Sequence, residues 1–216
     1  YYTYFTSDMA YHYNKLQRGF DKMIDIWGAD HHGYIARCNA MLEAWGYPDT
    51  LEVMLGQLVN LFRDGQPVRM SKRTGEMITF EEVIEEVGVD STRWLMLSRG
   101  ADQTIDFDIE EAKKQDQSNP VYYVQYAHAR ICSILRNAAS EDLRAQEASG
   151  EISIDELASQ VIPADVDLSL LVEDSEIALM RKMETLQEFI ALAARDRAPF
   201  RLTHFSQDMA SMFHAF

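Results

Sequence analysis

The chain is short of the features that would make it a membrane protein or a small cross-linked scaffold. No apolar run reaches the roughly 18 residues that a membrane-spanning helix needs. Its two cysteines, Cys38 and Cys132, stand far apart and form no CxxC pair. That excludes a disulfide framework and a zinc ribbon, and it points to a reducing, cytoplasmic compartment. The opening YYTYFTSD has neither the basic nor the apolar stretch of a secretion leader, and without a Met it reads as cut from something longer. Positive charge is scarce too. Lys and Arg number 20 against 35 Asp and Glu, a net charge of -15, which argues against a generic polyanion binder. The deficit is local, however. Between Glu141 and Glu176 eleven acidic residues stand against Arg144 alone, so a nucleic acid could dock elsewhere. What is present, 47% hydrophobic and 25% charged residues over 216 positions, suits a folded globular chain of one large or two small domains.

Periodicity divides the chain in two. Residues 6–18 put Met9, Tyr13 and Leu16 on one helical face, stopped by Gly19. Residues 21–27 suit a buried strand loosely, 28–33 a turn, and 35–45 a helix stopped by Gly46 and Pro48. The nearly uncharged run 51–62 reads as a strand, and Asp64-Gly65 as a hairpin turn before Val68. Thr79-Phe80-Glu81-Glu82 spells a capping box for a short helix to Val87, and Asp90 can cap the next, to about Arg99. This alternation predicts an α/β fold with a largely parallel sheet. After Asp108 no strand is predicted. Asn119-Pro120 opens a long helix to about Ala139, with Val124, His128, Ile131 and Leu135 as its apolar stripe. Further helices are predicted over 142–148, 165–172, 174–195 and 199–216. The expected organisation is α/β over residues 1–118 and an all-α bundle over 119–216.

Four places carry chemistry. Arg69-Met70-Ser71-Lys72-Arg73-Thr74-Gly75 lies between a hairpin and a capped helix, and such a cationic, hydroxyl-bearing loop can close over a polyphosphate. A merely solvated basic loop would have the same composition. Gly28-Ala29-Asp30-His31-His32-Gly33 follows a strand, where open parallel sheets bind ligands. Its glycine permits close backbone approach and its carboxylate can accept ribose hydroxyls, although a capped turn with surface histidines would read alike. Adjacent His31 and His32 rarely reach one ion and no second ligand cluster accompanies them, so no metal site is expected. Tyr4 and Asp8, four apart, share a helical face and offer an aromatic plane and a carboxylate to a guanidinium or ammonium group. Asp8 could equally complement the helix dipole. Tyr123, Tyr126 and Arg130 at i, i+3 and i+7 form a stacking platform for unpaired bases, or else ordinary helix packing. Arg195, Arg197 and Arg201 make a second basic cluster.

Taken together and in order, YFTSDMAYHYNK, FDKMIDIWGADHHGYIAR, RMSKRTGEMITFEEVIEEVGVD and NPVYYVQYAHARI resemble the arginyl-tRNA synthetases, within the class I aminoacyl-tRNA synthetases. The resemblance implies part of a Rossmann-type catalytic domain followed by a helical, DALR-type anticodon-binding domain. It implies ATP-dependent activation of L-arginine, with Mg2+ accompanying the ATP, and transfer to tRNA(Arg) by a monomer that binds neither DNA nor membrane. By position, Tyr4 and Asp8 match guanidinium ligands, and His31 falls where relatives often use Gln. Gly28 and Asp30 match the ribose segment, and main chain at Leu58, Val59 and Met70 the adenine contact. Ser71 and Lys72 match the catalytic mobile loop, and Tyr123, Tyr126 and Arg130 the tRNA contacts. Two departures stand out: the HIGH-like motif of the family is absent, and Arg69 stands where the loop motif often has Lys. The chain by itself is therefore expected to lack ATP–pyrophosphate exchange. A non-catalytic tRNA-binding module is the rival reading, and the cysteine enzyme of the same class is disfavoured because it needs zinc ligands.

Overall fold

In the computed structural model, which describes residues 3–68 and 78–216, helix α1 (Tyr4–Gln17) occupies the first predicted segment. Two of the three residues of the expected face, Met9 and Leu16, turn to the core, and Tyr13 does not. Phe5 packs on the core beside them, His12 is the buried residue of the helix, and Tyr13 stays half exposed with its ring edge-on to Trp45. Strands β1 (Met23–Gly28) and β2 (Leu51–Gly56) pair in parallel, in register from Met23 opposite Leu51 to Gly28 opposite Gly56. A parallel pair needs a crossover. Here it is a 3₁₀ segment, Ala29–Tyr34, followed by α2 (Ile35–Ala44), which ends at Gly46 in the left-handed region. Met23, Cys38, Met41, Leu42 and Leu51 form the core beneath.

The predicted strand 51–62 is two strands. After β2 the Gln57 N–H donates to the Ala101 carbonyl at 2.8 Å and the Leu58 carbonyl accepts from the Ile105 N–H at 3.3 Å. The chain then continues as β3 (Val59–Arg63) in a second sheet, ordered β4-β3-β5, with β4 at Gln66–Pro67 and β5 at Ile105–Asp108. Asp64 and Gly65, both at positive φ (51° and 71°), make the predicted hairpin turn.

Helix α3 (Phe80–Val87) starts on the predicted Thr79–Glu82 capping box. Asp90 does not cap the next helix. α4 (Val89–Met96) begins after Gly88, and Asp90 sits in its first turn, accepting a hydrogen bond from Gln125 at 3.0 Å. A single turn, α5 (Ile109–Ala112), is capped by Asp108, whose carboxyl is held below the usual range first by the Gly65 N–H. On α6 (Pro120–Ala138) the apolar stripe is rotated from the expected one: Val121, Ala127 and Cys132 are buried, whereas His128 and Ile131 face out. α7 (Glu141–Ser149) matches its prediction, but α8 (Ile154–Val161) was not predicted, although Ser153 and Glu156 form a capping box. Where a helix was predicted over 165–172 there is a 3₁₀ turn at Leu168–Leu170. The predicted helix 174–195 breaks at Thr185 into α9 (Asp174–Glu184) and α10 (Leu186–Arg195), the Thr185 hydroxyl donating to the Lys182 carbonyl. α11 (Phe200–His214) closes the bundle.

The chain divides into two compact units. One holds the described residues up to Phe62 with Arg99–Phe107, and the other those of Arg63–Ser98 and Asp108–Phe216. Among the described residues no helix is long and apolar enough to cross a membrane. In the second unit Arg63 forks onto Glu86 at 2.7 and 2.8 Å and also reaches Glu110, while Lys113 reaches Glu86 at 3.0 Å. The Arg63 guanidinium, then the Lys113 ammonium, pull Glu86 from the ordinary 4.5 to about 2. Its folded value lies below the unfolded one, so the stability it contributes is complete above pH 4.5 and disappears as pH falls toward 2. Solvent exposure keeps that contribution small. The gap in urea midpoint between the native chain and Glu86→Gln is expected to narrow across that window. A gap that is constant with pH would show the pair contributes no charge-dependent stability.

Candidate active site

Helical spacing along α1 sets Tyr4, Asp8, Tyr11, His12 and Lys15 on one side. β1 adds Asp25 and Trp27, and the 3₁₀ segment adds His31 and Tyr34. These side chains line one open cleft of about 880 Å³. All three guanidinium candidates, Tyr4, Asp8 and His31, meet there. Tyr4 is 91% exposed, so its ring face is free to receive a ligand. One wall is fixed by Arg37, whose guanidinium lies 4.9 Å from the Tyr34 ring centre and 5.5 Å from that of Phe5.

The sequence reading missed the polar floor of the cleft. The Asp25 carboxylate accepts from His12 Nε2 at 2.9 Å and from Lys15 Nζ at 2.6 Å. His12 Nδ1 donates to the main-chain carbonyl of Asp8 at 2.8 Å. The Lys15 ammonium also lies 4.6 Å from the centre of the Tyr11 ring. Extending the Tyr4–Asp8 spacing by further turns would have singled out His12 and Lys15. Nothing in sequence marks Asp25 as their partner. Burial first, then the carboxylates of Asp8 and Asp25, push up the thiol of Cys38, which is therefore held as the neutral, unreactive form.

Gly28 and Asp30 lie at the carboxyl end of β1, and Leu58 and Val59 just past that of β2. This is the edge where open parallel sheets take ligands. A Cβ on Gly28 would stand 2.6 Å from Asp30 Oδ1, so no larger residue fits without moving that carboxylate. Asp30 in turn lies 3.7 Å from His31 Nε2, which links this edge to the cleft. Arg69, Met70, Ser71 and Lys72 lie outside the described residues.

In the second unit Tyr123, Tyr126 and Arg130 of α6 converge on the last turn of α11. His214 sits 4.7 Å from the Tyr123 ring and stacks on Tyr126 at 5.4 Å, and its Nε2 reaches the Tyr123 carbonyl at 3.3 Å. Arg130 lies over Phe213 at 5.3 Å, and Tyr122 stacks on Tyr126 at 6.3 Å. Phe213, His214 and Tyr122 were not singled out in sequence, the first two because they lie more than eighty residues from the α6 residues they meet. Of the second basic cluster, Arg195 and Arg201 are drawn onto Asp196 at 2.7 and 3.1 Å, which spends much of their charge.

Residues 124–216 match the DALR anticodon binding domain. The arginine–tRNA ligase of Heliobacterium modesticaldum is 49% identical over 99% of this chain, and that of Listeria monocytogenes (serotype 4a) is 48% identical over all of it. This chain is a relative of the arginine–tRNA ligases. It spans 36% of the length of those relatives. A crystal structure of a proposed arginyl-tRNA synthetase from Campylobacter jejuni superimposes with a TM-score of 0.77 at 34% identity, covering 99% of this chain and 43% of that one. The fold, a small parallel sheet followed by a helical bundle, is thus that of the corresponding stretch of a ligase.

Proposed function

We propose that a protein containing this chain activates L-arginine with ATP and transfers it to tRNA(Arg). The observation that carries the proposal is the meeting of Tyr4, Asp8 and His31 in one cleft that opens beside the sheet edge bearing Gly28 and Asp30. The division of labour is catalytic over residues 1–118 and tRNA-binding over 119–216, with the reaction running in the cytoplasm on a monomer.

In this reading Asp8 accepts the planar fork of the substrate guanidinium and Tyr4 covers its face. A lysine ammonium cannot reproduce that fork. Main chain at Leu58, Val59 and Met70 holds the adenine, and Gly28 and Asp30 the ribose. The arginine carboxylate attacks the α-phosphate and pyrophosphate leaves. Ser71 and Lys72 stabilise the charge that grows on the triphosphate, whose Mg2+ travels with it as substrate. Such transfer needs positioning and charge stabilisation rather than a covalent nucleophile.

The test is a chimera in which this chain replaces the matching 36% of the Heliobacterium modesticaldum ligase. Arginine-dependent charging of tRNA(Arg) is expected, with lysine and citrulline excluded. A chimera that folds and binds tRNA but activates no amino acid would favour the binding module instead.

Tyr126 is 46% exposed while stacked on His214, which leaves ring surface for a base. Tyr126→Ala is expected to weaken tRNA binding to the chimera by about 1–3 kcal/mol, measured by fluorescence titration. Unchanged affinity would make it a packing residue of α6.

A further inference from the structure

Among the described residues the cleft is lined by two carboxylates, Asp8 and Asp25, and Asp25 is the one already engaged. Asp25 is 11% exposed and carries two short bonds from His12 and Lys15, themselves 4% and 14% exposed. Both ring nitrogens of His12 face oxygen acceptors, Asp25 Oδ2 and the Asp8 carbonyl. Asp25 thus faces the Lys15 cation and the His12 ring at hydrogen-bond distance. The chain of bonds runs on: strand β1 holds Asp25, Asp25 holds His12, and His12 holds the turn of α1 from which Asp8 projects.

Resting on the reading that Asp8 receives the substrate guanidinium, we propose that Asp25 is a positioning residue that sets arginine affinity through His12 and Lys15. It does so in two ways. It cancels the cation of Lys15, which would otherwise repel an incoming guanidinium from the same cleft. It also fixes the main chain of Asp8 against β1 through His12. The selection of a guanidino amino acid therefore depends on a carboxylate that never touches it. Buried charges of this kind are costly to leave single, and removing one partner exposes the full repulsion of the other.

The experiment uses the chimera and compares Asp25→Asn, Lys15→Met and the pair Asp25→Asn/Lys15→Met, with thermal unfolding recorded for each. Asp25→Asn is expected to raise KM for arginine at least tenfold while KM for ATP and kcat per folded molecule move less than about threefold, a split expected of lost ground-state binding. Adding Lys15→Met removes the uncompensated cation and is expected to recover most of that loss. A merely structural role would lower the folded fraction, leave KM for arginine in place and show no recovery in the pair, which would overturn the proposal. If Asp25 itself receives the guanidinium, Lys15→Met in the Asp25→Asn background recovers nothing, and the proposal is likewise overturned. A native chimera with no arginine-dependent activity would sink the ligase reading and this inference together. An active one whose Asp25→Asn form keeps its KM would sink the inference alone.

Discussion

Asp8→Ala in the chimera is expected to raise KM for arginine about a hundredfold and to leave KM for ATP within about threefold of native. Truncating one partner of a hydrogen-bonded charge pair costs about 2–5 kcal/mol, and the half-buried setting of Asp8 places it toward the lower end. Among the described residues no other carboxylate of the cleft is free to take over. The Asp25 carboxylate is already held by His12 and Lys15, and Asp30 lies 3.7 Å from His31 at the sheet edge. Asp8→Asn should be nearly as damaging, since the amide keeps the shape but puts an N–H against an N–H. Steady-state charging kinetics over a range of arginine and of ATP read the two constants separately. Equal losses for both substrates would contradict the guanidinium assignment.

Lys72→Ala should act on the other substrate. A preorganised donor aimed at developing charge contributes roughly 10²–10³ in rate. The variant is therefore expected to slow arginyl-adenylate formation by about that factor in single-turnover measurements, with arginine affinity nearly unchanged. Arg69 and Arg73 flank it and supply cations of their own, so a residual rate is expected rather than none. A variant that loses arginine affinity at an unchanged rate would remove Lys72 from the reaction and assign it to substrate capture.

How far the sequence spoke depended on the range of the interactions involved. Local chemistry was readable: the Thr79–Glu82 capping box, the Asp64-Gly65 turn and the Asn119-Pro120 start are each written within four residues, and each sits where expected. The break at Gln57 was not readable, because it is made by the Ala101 carbonyl more than forty residues away, and a uniform apolar run carries no trace of it. The stripe on α6 was misplaced for a similar reason. Helical spacing fixes which residues share a face but not which face meets α8 and α11, and His128 and Ile131 were assigned to the wrong one. In the cleft, Tyr4–Asp8 spacing and the ADHHG turn permitted a ligand reading without deciding it, and the roles of Tyr4, Asp8 and His31 came from the resemblance to the arginyl-tRNA synthetases. Asp25 was overlooked because its importance lies in what it neutralises. An acidic residue inside an apolar strand was the available sign, and the alternation Met23, Ile24, Ile26, Trp27 drew attention away from it.

One measurement bears on all of this at once: a crystal structure of the chimera with L-arginine bound. The account predicts the guanidinium forked on the Asp8 carboxylate, its plane against the Tyr4 ring, with Asp25 still bonded to His12 and Lys15. A guanidinium seated on Asp25, or outside the cleft between α1 and β1, would contradict it.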